Sequence, residues 1–271
     1  MQDLFTSALS LCTLVCACRI QISDMELAID TSSSIVSIAL SHRGEILATS
    51  TWRTRQNHTT ELLPNLVCLL QQAKIELSSI EAIVVAKGPG SFNGLRVGIS
   101  TAKGLAFTLD IPLLGVNTLE AEVYPFAFTG LPLRAIQKAG HQEIATAVYR
   151  QKDDGWQCLE ADNLASVETL WRRTKQRTIF CGEIPADIAR QIQHNLGGRA
   201  IICQNTGPSR GSSLATLGWR RLSKGEHDDL LTLEPIYLRP PHITKPKEKM
   251  PSLVTTNRQR VQRYGNPQTR C

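Results

Sequence analysis

The sequence predicts a two-lobed α/β protein with mixed sheets. Two successive runs of short apolar strands are each followed by alternating helices and strands, the order that packs helices onto sheets of mixed direction. A glycine-rich loop, KGPGSFNGLRVG at 87–98, sits between an apolar strand and a helix-like stretch. The chain has 271 residues, 42% hydrophobic and 20% charged, enough to bury the core of one large domain or of two lobes.

The first run begins at Met25. ELAID (26–30) reads as a strand, and SIVSIAL (34–40) places Val36, Ile38 and Leu40 on one face. The Arg43-Gly44 turn leads into EILATST (45–51). A helix follows from about Glu61 to Ala73, with Leu62, Leu66, Leu69, Leu70 and Ala73 as its apolar stripe, and Pro64 is expected near its first turn. AIVVA (82–86) is a strand, the glycine loop comes next, and a helix runs to about Leu109. PLLGV (112–116) is another strand. Asn117 then caps a helix with Glu120 three residues on, in the pattern of a capping box. These elements form a first lobe over 25–124, and the boundary is expected at Tyr124–Pro132, where aromatics, Pro and Gly crowd together.

The second lobe, 125–241, reads less regularly. RAIQKAGHQEIATAVYR forms two strands around a turn at Ala139-Gly140-His141. Strands are expected at 178–182 and 199–204, and helices at 166–174, 185–196 and 212–222.

Charge and cysteine use narrow the function classes. The net charge of +6 is uneven: Arg239–Cys271 holds eight basic residues and one acid, whereas the rest of the chain has 22 basic and 23 acidic residues. The tail 242–271, rich in Pro, Asn, Gln and Arg, is expected to be disordered; a plain solvated tail is the favoured reading and contact with nucleic acid through phosphates the alternative. Eight scattered cysteines form no CxxC pair, which fits reduced thiols in a cytoplasmic protein and not a disulfide framework or zinc site. Residues 1–24 contain an uncharged stretch from Leu4 to Cys18, shorter than the about 20 residues a membrane span needs. Asp3 and the lack of Lys or Arg ahead of it give the wrong sign for a secretory signal. The leader is expected to be non-structural, with a natural start at Met25.

The glycine loop, with Gly88, Pro89, Gly90 and Ser91 at its head, is neither G-x-G-x-x-G nor a Walker A loop. Its position still allows an anion at the helix start. Gly98 and Gly104 lie inside the helix, where each costs about 1 kcal/mol relative to Ala. An anion does not explain them, because its effect fades beyond the first turn. The ladder Gly94, Gly98, Ala102 and Ala106 favours close packing against helix 61–73.

MELAIDTSSSIVSIAL, HTTELLPNL, AKGPGSFNGLRVGISTAKGLA, IPLLGVNTLEA and EPIYLR together resemble the bacterial TsaB (YeaZ) family. The resemblance runs from about Met25 to Arg239 and is densest over its first hundred residues. It implies an actin/Hsp70/sugar-kinase-like fold and a non-catalytic scaffold that activates a TsaD-like paralogue, with a TsaE-like ATPase, in threonylcarbamoyladenosine modification of tRNA. It also implies a homodimer in isolation and a partner surface on the first-lobe helices, here Leu62, Leu66, Gly94, Leu95, Arg96, Gly98, Ile99 and Ala102. One departure is Lys138, where family members often carry Asp.

The catalytic groups of TsaD-like enzymes are not matched. His58 is followed four residues later by Leu62, so the paired-histidine helix motif is broken, and His227 with Asp228 cannot complete a three-ligand shell. Asp30, Thr31 and Ser32 fall where actin-like ATPases place a phosphate hairpin, but Ser32 stands where those enzymes usually carry glycine. The favoured reading is a tight turn whose side chains satisfy backbone groups. No metal or cofactor is therefore expected. The alternative is an enzyme of the same fold, either an ATP-dependent transferase or a glycoprotease-like metallohydrolase.

Overall fold

The computed structural model describes residues 24–55, 57–139, 143–204 and 209–239. The expectations for the leader up to residue 23 and for the tail 242–271 lie outside the described residues.

The first five strands are β1 (Met25–Asp30), β2 (Ile35–His42), β3 (Glu45–Arg53), β4 (Ala82–Gly88) and β5 (Leu113–Asn117). They form one sheet in the order β3-β2-β1-β4-β5, with β1–β2 and β2–β3 antiparallel and β1–β4 and β4–β5 parallel. The second sheet holds β6 (Leu133–Lys138), β7 (Glu143–Lys152), β8 (Gly155–Ser166), β9 (Thr178–Gly182) and β10 (Ala200–Gln204), in the order β10-β9-β6-β7-β8. Read from its antiparallel edge this is the same arrangement, with β6 standing where β1 stands. The repeat of one sheet topology is the two-lobed, actin-like fold expected from the sequence.

Strand β8 was not foreseen. Its residues, GWQCLEADNLAS, lie at a sheet edge with only Ala165 buried, so no run of alternating apolar residues marks it.

Helices α1 (His58–Ala73) and α2 (Phe92–Leu109) cover one face of the first sheet, with Leu62, Leu66, Leu69, Ile99, Ala102 and Ala106 buried against Leu27, Ile29, Ile38 and Val85. Helix α1 starts three residues earlier than expected, which places Pro64 in its interior instead of near its first turn. Asn65 Nδ2 donates to the Glu61 carbonyl at 2.8 Å, adding a side-chain bond beside the proline. Asn117 caps the short helix α3 (Thr118–Val123) by accepting the Leu119 and Glu120 N–H groups at 2.8 and 3.2 Å. The Glu120 carboxylate does not close a capping box; it accepts the Trp156 indole N–H at 2.9 Å.

Helices α4 (Val167–Arg173) and α5 (Ala186–Leu196) pack on the second sheet with Phe180, Ile192 and Leu196 in its core. Helix α6 (Arg210–Leu222), though late in the chain, packs on the opposite face of the first sheet, where Leu214, Ala215 and Leu217 meet Ala28, Ala39 and Val84. Among the described residues no helix is long and apolar enough to cross a membrane.

Candidate functional site

Strand β1 ends in the buried turn Asp30-Thr31-Ser32. The Asp30 Oδ1 accepts the Ser32 N–H at 2.8 Å and the Ser32 hydroxyl at 2.6 Å, which closes the turn on itself. Its Oδ2 accepts Arg210 Nε at 2.5 Å. The same guanidinium donates to Glu122 Oε2 at 3.0 Å and to the Ser33 hydroxyl at 2.6 Å. The Arg210 side chain is 12% exposed and the Asp30 side chain 1%. Burial works against the Arg210 charge, but Asp30 and Glu122 outweigh it and hold the guanidinium protonated.

Arg210 is the residue that sequence reading missed. Its carboxylate partners lie 180 and 88 positions away, so no local pattern announces them. The helix also starts two residues earlier than the expected 212, so the opposition between this cation and the helix macrodipole, which calls for a compensating anion, shows only in the structure.

The glycine loop closes over the same turn. A Cβ on Gly90 would lie 2.4 Å from the Ser32 carbonyl oxygen, one on Gly94 2.1 Å from the Thr31 carbonyl oxygen, and one on Gly98 2.2 Å from Thr31 Oγ1. The Ser91 N–H donates to the Ser32 carbonyl at 2.7 Å, and the Thr31 hydroxyl donates to the Gly94 carbonyl at 2.7 Å. The Ser91 hydroxyl caps α2 by accepting the Gly94 N–H at 3.3 Å. Close approach of backbone is therefore what the loop provides. Its neighbour, however, is the β1 turn and not helix 61–73 as expected: α1 and α2 touch, but Gly94 and Gly98 face Thr31. Gly104 has nothing within 4 Å and serves no such approach. From the other side the late EPIYLR segment straps the loop. The Ile236 N–H donates to the Lys87 carbonyl at 2.7 Å, and the Tyr237 ring packs against Phe92 at a tilt of 35°, with centroids 4.9 Å apart.

The expected partner surface needs correction. Leu62, Leu66, Leu95, Ile99 and Ala102 are between 0 and 4% exposed, and Gly94 and Gly98 are buried against Thr31, so these seven residues hold the fold together. Of the eight named, Arg96 alone is exposed, its guanidinium lying 3.9 Å over the Phe92 ring. The apolar residues that α1 and α2 leave outside are Leu63, Val67 and Phe107, at 49, 51 and 79% exposure. The sequence stripe was located correctly, but its inner face was taken for its outer one.

The residues of the Asp30 turn do not fit a nucleotide phosphate with its cation. Both Asp30 oxygens are engaged within the chain, Thr31 and Ser32 point their carbonyls into the glycine loop, and the crevice lined by Thr118, Glu122, Gln137, Glu183 and Arg210 has no room for a water molecule. His58 is the first residue of α1, with its Nε2 3.1 Å from the Ser33 carbonyl oxygen. The Asp228 carboxylate accepts the Gly115 N–H at 2.7 Å and His227 is exposed. Among the described residues no three His, Cys, Asp or Glu side chains converge on a possible metal position. Lys138 stands exposed at the end of β6, the strand that takes the place of β1 in the second sheet.

The comparisons with known proteins agree with the fold and the motifs. Residues 45–245 match the family described as "TsaD: tRNA N6-adenosine threonylcarbamoyltransferase". The chain is 32% identical over 219 residues to the tRNA threonylcarbamoyladenosine biosynthesis protein TsaB of Bacillus subtilis, covering 79% of this chain and 93% of that one. It is 27% identical over 220 residues to the TsaB of Escherichia coli, with 79 and 94% covered. Its backbone superposes on the solved structure of YeaZ from Pseudomonas aeruginosa with a TM-score of 0.67 at 24% identity, covering 80% of this chain and all of that one. With its repeated sheets, its glycine loop on the Asp30 turn and these relatives, the chain belongs to the TsaB (YeaZ) family of tRNA threonylcarbamoyladenosine biosynthesis proteins.

Proposed function

We propose that the protein is a non-catalytic scaffold that activates a TsaD-type transferase in threonylcarbamoyladenosine modification of the adenosine beside the tRNA anticodon. The observation that carries this reading is the Arg210 guanidinium bound to Asp30 and Glu122. The carboxylate that would orient a cation or a phosphate is instead neutralised from within, so the turn contributes rigidity and not chemistry.

The surface the protein uses is the outer side of α1 and α2. Leu63 and Val67 are spaced four residues apart on one face of α1, and Phe107 projects from α2 at 79% exposure. Apolar side chains of this kind mark a docking face. The TsaD-type partner and a second copy of this chain compete for it, and a TsaE-like ATPase joins the assembled pair, with tRNA bound through the complex. An enzyme acting alone is the competing reading.

The test has two arms. Sedimentation of the chain with and without its TsaD-type partner should give a homodimer that converts to a heterodimer, and both should weaken in Phe107→Asp. ATP turnover by the chain alone should be at background. Assemblies unaffected by Phe107→Asp would remove the docking face, and ATP turnover that is lost in Asp30→Asn would establish the competing reading.

A further inference from the structure

The second lobe carries a concentration of cations that the proposed role leaves unused. The stretch Arg172-Arg173-Thr174-Lys175-Gln176-Arg177 joins the last turn of α4 to β9 and holds four basic residues and no acid. Arg199 stands directly ahead of β10. The chain ahead of Arg239 is close to neutral as a whole, with 22 basic and 23 acidic residues, so this is a local excess.

Two contacts bring these cations to one edge of the second sheet. Strands β9 and β10 are parallel neighbours with Thr178 opposite Ala200, so Arg177 and Arg199 precede strand starts about 5 Å apart. Arg199 Nη1 also donates to the Thr174 carbonyl at 3.2 Å, which ties it to the connection between α4 and β9. All five residues are exposed. Arg172 and Arg173 have local roles: they sit in the last turn of α4, where cations offset the negative helix end, and they pair with Glu168 at 2.6 Å and Glu160 at 2.8 Å. Lys175, Arg177 and Arg199 lie outside that helix, and among the described residues no carboxylate pairs with any of them. An anion is the partner this edge lacks.

The guanidinium fork fits phosphate, and a row of Lys and Arg gains affinity for a nucleic acid by releasing its counterions. A protein interface is built around an apolar, aromatic-rich centre. No exposed large apolar side chain among the described residues falls in α4, in 174–177 or in 197–199. We propose that Lys175, Arg177 and Arg199 form a phosphate-binding edge for the backbone of RNA. It lies on the other lobe from α1 and α2, so this chain holds tRNA directly while its transferase partner is docked. The choice of RNA as the polyanion rests on the proposed role in tRNA modification.

The probe is an unmodified, fluorophore-labelled tRNA transcript, titrated with the full chain and read by anisotropy at several salt concentrations. Saturable binding is expected. Lys175→Glu with Arg177→Glu should weaken it about tenfold at low salt and lower the salt slope by about 2, one for each lost phosphate contact. That variant should keep the parent's melting temperature, since both positions are exposed. Arg55→Glu with Lys224→Glu makes the same change of charge at exposed positions of the first lobe and should bind as the parent does. Because binding is read on the chain alone, a transferase that this protein fails to activate would leave the result standing. No binding, an unchanged slope in the Lys175, Arg177 variant, or an equal loss in the control would overturn the proposal. Displacement of the tRNA by polyglutamate of equal charge would also overturn it, making the edge a site for acidic protein.

Discussion

Replacing Gly94 by alanine adds one methyl group at the point where α2 meets the β1 turn. The new Cβ would lie 2.1 Å from the Thr31 carbonyl oxygen, more than 1 Å inside ordinary contact. The obstacle is backbone held at the end of a central strand, so it cannot swing aside as a flexible side chain would. Overpacking of this kind costs about 1–3 kcal/mol. Separating the turn from the helix also strains the Thr31 hydroxyl bond to the Gly94 carbonyl, a further loss of about 1 kcal/mol. Alanine returns about 1 kcal/mol through helix propensity. The balance is a net destabilisation of about 1–3 kcal/mol, which lowers the melting temperature by roughly 2–12 °C for a chain of this size. The control lies in the same helix. Gly104 is exposed with nothing within 4 Å of its would-be Cβ, so Gly104→Ala keeps the propensity gain of about 1 kcal/mol and should raise the melting temperature by about 2–4 °C. The assay is thermal unfolding of the two variants beside the parent. Shifts of the same sign in both, or a stabilised Gly94→Ala, would refute the close-approach account of the loop.

Arg210→Met should destabilise by about 3–5 kcal/mol in urea unfolding, because it leaves the buried Asp30 carboxylate unpaired, and adding Asp30→Asn should recover part of the loss. Burial holds the Glu120 carboxyl above its ordinary range despite the Trp156 N–H bonded to it. A raised folded value means that the parent loses stability as pH rises through it, so Glu120→Gln, which lacks that loss, should gain on the parent in thermal melts as pH rises above the ordinary carboxylate range. Deleting 242–271, which carries seven basic residues and one acid, should weaken tRNA association of the assembled complex and flatten its salt dependence. An unchanged salt slope would leave that tail without an RNA contact.

Much of the first sheet was legible because its strands are central and apolar. Leu27, Ile29, Val36, Ile38, Val84 and Val85 are all buried, and strands of that kind write their pattern plainly. The small residues of α2 were legible as a packing signal, since Gly98 costs too much helix propensity to stand without a contact. Its partner was not, because glycine shows that something comes close without showing what. Periodicity also located the apolar stripe of α1 but could not say that Leu62 and Leu66 face inward while Leu63 and Val67 remain outside. Strand β8 escaped because an edge strand with mostly exposed side chains has no apolar alternation to display. The Arg210 bridge was hidden for a different reason: it joins three elements far apart in the chain, and only the fold brings them together.

The central claim is that the protein activates a transferase without performing the transfer itself. The most direct measurement is the content of threonylcarbamoyladenosine in unmodified tRNA, by nucleoside mass spectrometry, after incubation with threonylcarbamoyl-adenylate and either this chain, its TsaD-type partner, or both. The account predicts background levels with the chain alone, little product with the partner alone, and abundant product with the pair. Modified nucleoside formed by the chain alone would contradict it.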